Sequence, residues 1–158
     1  MAEHTDQNLL HQVIYSVFVR NHTKEGTFRA LEGDLDRLKG LGADIIWLMP
    51  IHPIGSEGRK GTLGSPYAIQ DYRGINPEYG TREDFIHLVD AIHARGMKCI
   101  IDVVYNYTSP DSVLAHTHPE YFLRDAEGRP TRKVADWWDV VDLDYSNRDL
   151  WNYQIDTL

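Results

Sequence analysis

The sequence predicts an α/β fold built on parallel strands, and three observations carry that prediction. Three short runs are rich in apolar and β-branched residues: HQVIYSVFVR (11–20), ADIIWLM (43–49) and MKCIIDVV (97–104). Between them lie stretches whose apolar residues recur at helical spacing. The runs are continuous rather than alternating, which is the pattern of strands covered on both faces and joined by helices.

Each element has its own local reason. Residues 11–20 read as the first strand because valine, isoleucine and aromatic side chains favour a pleated surface. From Thr27, Phe28, Leu31, Leu35 and Leu38 fall on one helix face, and Gly40 and Gly42 stop it. Residues 43–49 form a second strand closed by Pro50. Thr81 and Asp84 make a variant capping box ahead of Phe85, Leu88, Val89 and Ile92, with Gly96 as the stop. Residues 97–104 give the third strand, with Asp102 inside it. Residues 147–158 read as a last amphipathic helix with Trp151, Ile155 and Leu158 on the buried side. That helix ends on apolar Leu158 with no capping glycine, which reads as a chain stopping partway through an architecture. Two connections, 50–80 and 105–146, are long, and long connections are usually functional. Both follow strands and so lie at the carboxyl ends of the strands, where α/β proteins place ligands.

Composition narrows the function classes. The 158 residues suffice for one core, with 42% hydrophobic and 25% charged residues. A formal charge of −8 argues against nucleic acid or an anionic membrane as the main partner. The single cysteine, Cys99, excludes an internal disulfide framework and fits a reducing compartment. MAEHTDQNLLHQ lacks the basic and apolar regions of a signal peptide, and no run is long enough to span a membrane, so a cytoplasmic location is expected. On that basis Asn21-His22-Thr23 and Asn106-Tyr107-Thr108 read as chance triplets, not glycosylation sites.

Chemistry-bearing residues gather in the two long connections. Gly55, Gly58, Gly61 and Gly64 raise the idea of a phosphate loop, but GSEGRKGT has its lysine out of order and opens no helix. Gly64-Ser65-Pro66 instead predicts a tight turn that leaves Tyr67 and Asp71 near each other. An aromatic face beside a carboxylate suits a sugar; the alternative is that Tyr67 packs in the core and Asp71 pairs with Arg73. Asp102 either anchors the next loop or holds a neighbouring active-site group, and spacing alone leaves both open. Asn106 either holds the insert by hydrogen bonds or ligates a hard cation. His116 and His118 flank a threonine beside Pro119, without a recognised ligand spacing, so a metal there is disfavoured. Trp137 and Trp138 sit among four aspartates and read as the inserted lobe's own core.

Five segments in order resemble the amino-terminal part of glycoside hydrolase family 13, the α-amylase superfamily. YSVFVRNHT is similar to the family's first barrel strand and LGADIIWLMPI to its second. GSPYAIQDYRGINPEYGT resembles the segment carrying a sugar-stacking tyrosine, MKCIIDVVYNYTS the first diagnostic region on strand three, and DVVDLDYSNRDL the end of a small inserted lobe. The resemblance implies a partial (β/α)8 TIM barrel. Residues 1–104 would be its first three strand–helix units, 105–146 the inserted lobe, and 147–158 the start of the following barrel helix. It implies that Tyr67 stacks on the sugar, that Asp102 supports the catalytic centre without being the nucleophile, and that Asn106 ties the lobe to the barrel, a calcium ligand in some members. The residues expected at the substrate, an α-glucan or maltooligosaccharide, are Tyr67, Asp71, Asp102 and Tyr107.

Two departures from the family matter. Its histidine after the asparagine is Tyr107 here. A phenol is longer and neutral, so altered binding is expected, and Tyr107→His should raise kcat/KM in an active longer form. The catalytic carboxyls of a retaining glycosidase, about 5 Å apart, lie in the family on later strands, so no catalytic acid is named. The expected function is the amino-terminal part of an α-amylase-type retaining glycosidase. The rival is a non-catalytic piece that at most binds carbohydrate or packs on a missing partner. On its own, such a piece is expected to be oligomeric or loosely folded.

Overall fold

The computed structural model describes residues 6–158. It divides into two compact units, one formed by the chain up to Met49 with Pro77–Asp102, the other by Pro50–Asn76 with Val103–Leu158.

The first unit is the strand–helix part. A single 3-10 turn, Gln7–His11, precedes β1, Ile14–Val17. The strand is shorter than the apolar run predicted. Phe18 caps a one-turn helix α1, Val19–His22, whose Asn21 N–H returns to the Phe18 carbonyl at 3.0 Å. The single helix expected from Thr27 is two, α2 at Phe28–Glu32 and α3 at Leu35–Gly40, broken at Gly33–Asp34. The apolar stripe survives the break, because Phe28, Leu31, Leu35 and Leu38 are all fully buried. Asp34 explains the break, since its carboxylate is engaged by Arg37 at 2.6 Å and by His22 at 2.7 Å.

Strand β2, Ile45–Leu48, and helix α4, Arg82–Ala94, follow the predicted positions. The capping box is reciprocal: Thr81 Oγ1 accepts the Asp84 N–H at 3.2 Å, and Asp84 Oδ2 accepts the Thr81 N–H at 2.9 Å. Gly96, at φ +68, turns the chain into β3, Lys98–Ile101. The three strands are parallel in the order β1-β2-β3. Ile46 and Leu48 are fully buried on one side of β2. Ser16, Trp47 and Ile100 lie in register across the sheet and are all exposed, so the expected burial on both faces holds for one face.

The second unit is loop-rich. A short antiparallel ladder pairs β4, Tyr107–Thr108, with β5, Val141–Asp142. Helix α5, Val113–Thr117, is capped by Ser112, whose hydroxyl accepts the Ala115 N–H at 3.0 Å. Helix α6, Arg148–Ile155, is capped by Asn147. The face assigned to α6 from sequence is corrected. Leu150 and Gln154 are buried, while Trp151, Ile155 and Leu158 are 51%, 65% and 84% exposed. Leu150 sets the helix phase by entering a cluster with Tyr72, Val104, Leu114, Phe122 and Leu143. Residues 50–76 and α6 share a core with 103–146, because Ile69, Tyr72 and Leu150 pack into the same cluster. No helix among the described residues is long and apolar enough to cross a membrane.

Candidate sugar-binding site

Of the residues singled out from sequence, Asp102 belongs to the first unit, and Tyr67, Asp71, Asn106 and Tyr107 to the second. Asp102 is not inside a strand but immediately past β3. Its N–H extends the ladder by one bond, to the Leu48 carbonyl at 2.8 Å, and the residue is half-buried.

In the second unit, the loop before Tyr67 folds back on itself. Gly55 N–H donates to Ala68 O at 2.9 Å and Gln70 N–H to Pro53 O at 2.8 Å. The predicted turn is present, with Ala68 N–H donating to Ser65 O at 3.1 Å and Tyr67 N–H to Ser65 Oγ at 3.2 Å. Gly64 takes a left-handed φ of +73°, and a Cβ there would come within 2.8 Å of the Ile54 side chain, so glycine is required. Arg59 locks the start of the loop by donating to the Gly55 and Ile54 carbonyls at 2.8 and 2.9 Å.

Tyr107 stands on β4, opposite Asp142. Below it, the buried Tyr72 hydroxyl donates to the Val104 carbonyl at 2.7 Å and reaches the Tyr107 carbonyl at 3.1 Å. Burial holds the Tyr72 phenol far above the usual tyrosine range, so it stays a donor. The Tyr107 ring meets Trp137 edge-to-face at 5.6 Å. Together these residues line a cavity of about 140 Å³, bounded by Lys60, Ser65, Tyr67, Tyr107, Trp137 and Asp139. Its polar corner is an ion pair, Lys60 Nζ to Asp139 Oδ1 at 3.0 Å, with Asp139 buried.

Two of the expected substrate residues, Tyr67 and Tyr107, therefore share one cavity, and Asp71 is not among its lining residues. The Asp71 carboxylate instead accepts the Arg73 backbone N–H at 2.9 Å and shapes a turn. The Arg73 guanidinium lies over Tyr153, 4.5 Å from its ring centre, so the side-chain pairing weighed from sequence is replaced by a backbone contact. His52, inside the same turn region, bonds the Gly74 carbonyl at 3.0 Å, and burial keeps its pKa below the usual histidine range.

Trp137 and Trp138 correct a second reading. They are 43% and 53% exposed and do not form the lobe's core. Trp137 lines the cavity and Trp138 does not; in the sequence, two adjacent tryptophans in a small lobe look like packing. Lys60 lines the cavity although the failed phosphate-loop motif gives it no role in the sequence.

Asn106 is exposed, and its backbone carbonyl accepts the Leu143 N–H at 3.0 Å, which joins the start and the end of the 105–146 connection. Calcium takes about six to eight oxygen ligands. Among the described residues no group of three or more His, Cys, Asp or Glu is placed to share an ion. His118 stacks on Tyr121 at 4.7 Å, an aromatic packing role.

Aromatic faces with a charge-balanced polar corner are suited to a neutral, hydroxylated ligand: the rings take C–H faces and the ion pair takes hydroxyls. One carboxylate lines the cavity, whereas glycoside cleavage needs two.

Comparison with known proteins bears on this directly. The family model for the alpha-amylase catalytic domain matches residues 12–151. The chain belongs to that family. Its structure is similar to that of an alpha-amylase from Lactobacillus plantarum, at 62% identity and a TM-score of 0.93, over 94% of this chain and 35% of that one. It is similar to a maltogenic alpha-amylase, AmyB, from Thermotoga neapolitana, at 51% identity and a TM-score of 0.87, over 95% and 36%. In sequence it is 33% identical to an alpha-1,4-glucan:maltose-1-phosphate maltosyltransferase from Myxococcus xanthus, over 87% of this chain and 24% of the relative. The alpha-amylase-family chain thus spans about a quarter of that relative's length and about a third of the solved structures. Its three parallel strands and their helices match part of a (β/α)8 barrel.

Proposed function

We propose that this chain supplies the substrate-holding amino-terminal part of an alpha-amylase-type glycosidase acting on α-glucosidic bonds of maltooligosaccharides or α-glucans. The observation that carries this reading is the cavity in which Tyr67 and Tyr107 meet the ion pair of Lys60 with the buried Asp139. In this reading Tyr67 takes the face of one glucosyl ring, and Tyr107 donates or accepts one hydroxyl contact. Asp102, at the end of β3, acts as a supporting carboxylate rather than the nucleophile. Asn106 serves as a structural join, and no calcium-dependent step is assigned to it. The bond-breaking carboxyls are not assigned to any residue of this chain.

Bond cleavage and glycosyl transfer share the same sugar-holding requirement, and relatives named as amylases and as a maltosyltransferase both support it. Titration calorimetry with maltotetraose tests the reading. Saturable binding is expected, with Tyr67→Ala weakening it by about tenfold, the worth of one good stacking contact. Absence of saturable binding, or equal binding of cellotetraose, contradicts it.

A further inference from the structure

A different cavity of the second unit carries an unpaired charge. It measures about 320 Å³, and its lining includes Glu57, Pro110, Pro130, Arg132, Trp138 and Val141. We infer that it binds a small carboxylate with one negative charge and a flat apolar body, the carboxylate on Arg132 and the flat body on the ring of Trp138. This inference stands apart from the proposed sugar binding.

Arg132 supplies the charge. The other arginines of the second unit, Arg59, Arg73, Arg124, Arg129 and Arg148, each hold a backbone carbonyl, a carboxylate or an aromatic ring. Among the described residues, the Arg132 guanidinium has no such partner, and the residue is half-buried. Its backbone is pinned on both sides. Thr131 N–H donates to the Leu123 carbonyl at 2.8 Å, Asp142 N–H to the Thr131 carbonyl at 2.9 Å, and Lys133 N–H to Asp142 Oδ2 at 2.7 Å. A guanidinium partly withdrawn from water and without an internal acceptor offers a two-pronged, charge-assisted contact to a planar carboxylate. The sugar cavity differs in this respect, because Lys60 and Asp139 there balance each other.

The walls describe the rest of the ligand. Pro110, Pro130 and the buried Val141 are apolar, and the Trp138 ring is 53% exposed. That ring is held in advance. The Lys60 ammonium lies 4.7 Å from its centre, and Gly58 packs so closely that a Cβ there would come within 2.8 Å of the Trp138 carbonyl. A ring already fixed loses little freedom when a flat apolar group stacks on it. Glu57 places a negative charge on the same cavity, which disfavours a second charge on the ligand. The volume sits at the lower end of the roughly 300–1,000 Å³ of small-molecule sites, enough for an aromatic ring with a short acid arm.

The test titrates phenylacetate, phenylacetamide and phenyl phosphate into the nitrogen-labelled chain. The Trp138 indole N–H signal, identified by its loss in Trp138→Phe, is followed. Phenylacetate should move it saturably with a dissociation constant on the order of 1 mM. The uncharged amide should bind about tenfold more weakly, and the doubly charged phosphate more weakly than the carboxylate. Arg132→Gln should weaken phenylacetate about tenfold while leaving the amide unchanged, a pattern that general loss of structure would not give. If that variant loses the parent's circular-dichroism spectrum, Arg132→Lys is read instead; it keeps the charge without the planar fork and should weaken phenylacetate about threefold. No saturable movement up to about 20 mM phenylacetate, amide or phosphate binding as tight as the carboxylate, or unchanged affinity in the variant read overturns the inference.

Discussion

Tyr72 organises more of the candidate site than any residue that touches the cavity. Its hydroxyl bonds the Val104 carbonyl and reaches the carbonyl of Tyr107, whose ring lines the cavity. Tyr72→Phe keeps the ring's packing but leaves a buried carbonyl without its donor, a cost of about 1–3 kcal/mol. Urea denaturation should show that loss, accompanied by weaker maltotetraose binding because Tyr107 is less firmly placed. A change under about 0.5 kcal/mol would mean that water replaces the phenol at no cost. Tyr72 was not legible as a positioning residue in the sequence. Its neighbour Asp71 drew attention through its charge, yet Asp71 only shapes a turn. Carboxylates advertise themselves in a sequence, whereas a phenol's hydrogen bond to a carbonyl 32 residues away leaves no local pattern.

At the scale of elements, local signals succeeded where they were reciprocal. The Thr81–Asp84 box begins α4 where the spacing placed it. Thr81→Ala should lower stability by about 1 kcal/mol, read as a shift in the urea midpoint, because the Asp84 N–H loses its side-chain acceptor. No shift would mean that tertiary packing of Leu88 and Ile92 alone fixes the helix start. Periodicity was less reliable at breaks and at helix phase. Phe28, Leu31, Leu35 and Leu38 share a buried face although the backbone between them is interrupted at Gly33–Asp34. Periodicity reports the face and not the continuity of hydrogen bonds. In α6, two apolar stripes were available, and the core took Leu150 and left Trp151 and Ile155 outside. Only knowledge of the partner cluster could have chosen between them. The strand–helix order and the turn at Gly64 were legible for the opposite reason, since both rest on residues adjacent in the chain.

At the scale of the whole molecule, the sheet presents Ser16, Trp47 and Ile100 in an exposed row, and Ile101 on the edge strand β3 is 37% exposed. Uncovered apolar strands favour association with other chains. Sedimentation velocity of the 158-residue chain near about 100 µM should therefore show self-association; a monomer with a sharp cooperative melt would contradict this. The formal charge of −8 opposes association, so added salt should strengthen it. In the other unit, Tyr67, Tyr107 and Trp137 line the cavity proposed to bind an α-glucan. The sequence has four tryptophans, so the indole N–H region of a nitrogen–proton correlation spectrum reports on Trp47, Trp137, Trp138 and Trp151 separately. Titrating maltotetraose into the labelled chain is the most direct measurement. The account predicts saturable movement of the Trp137 signal, identified by its loss in Trp137→Phe, with Trp47 and Trp151 unmoved. A Trp137 signal that stays fixed at saturating sugar, or four signals that drift together, would contradict it.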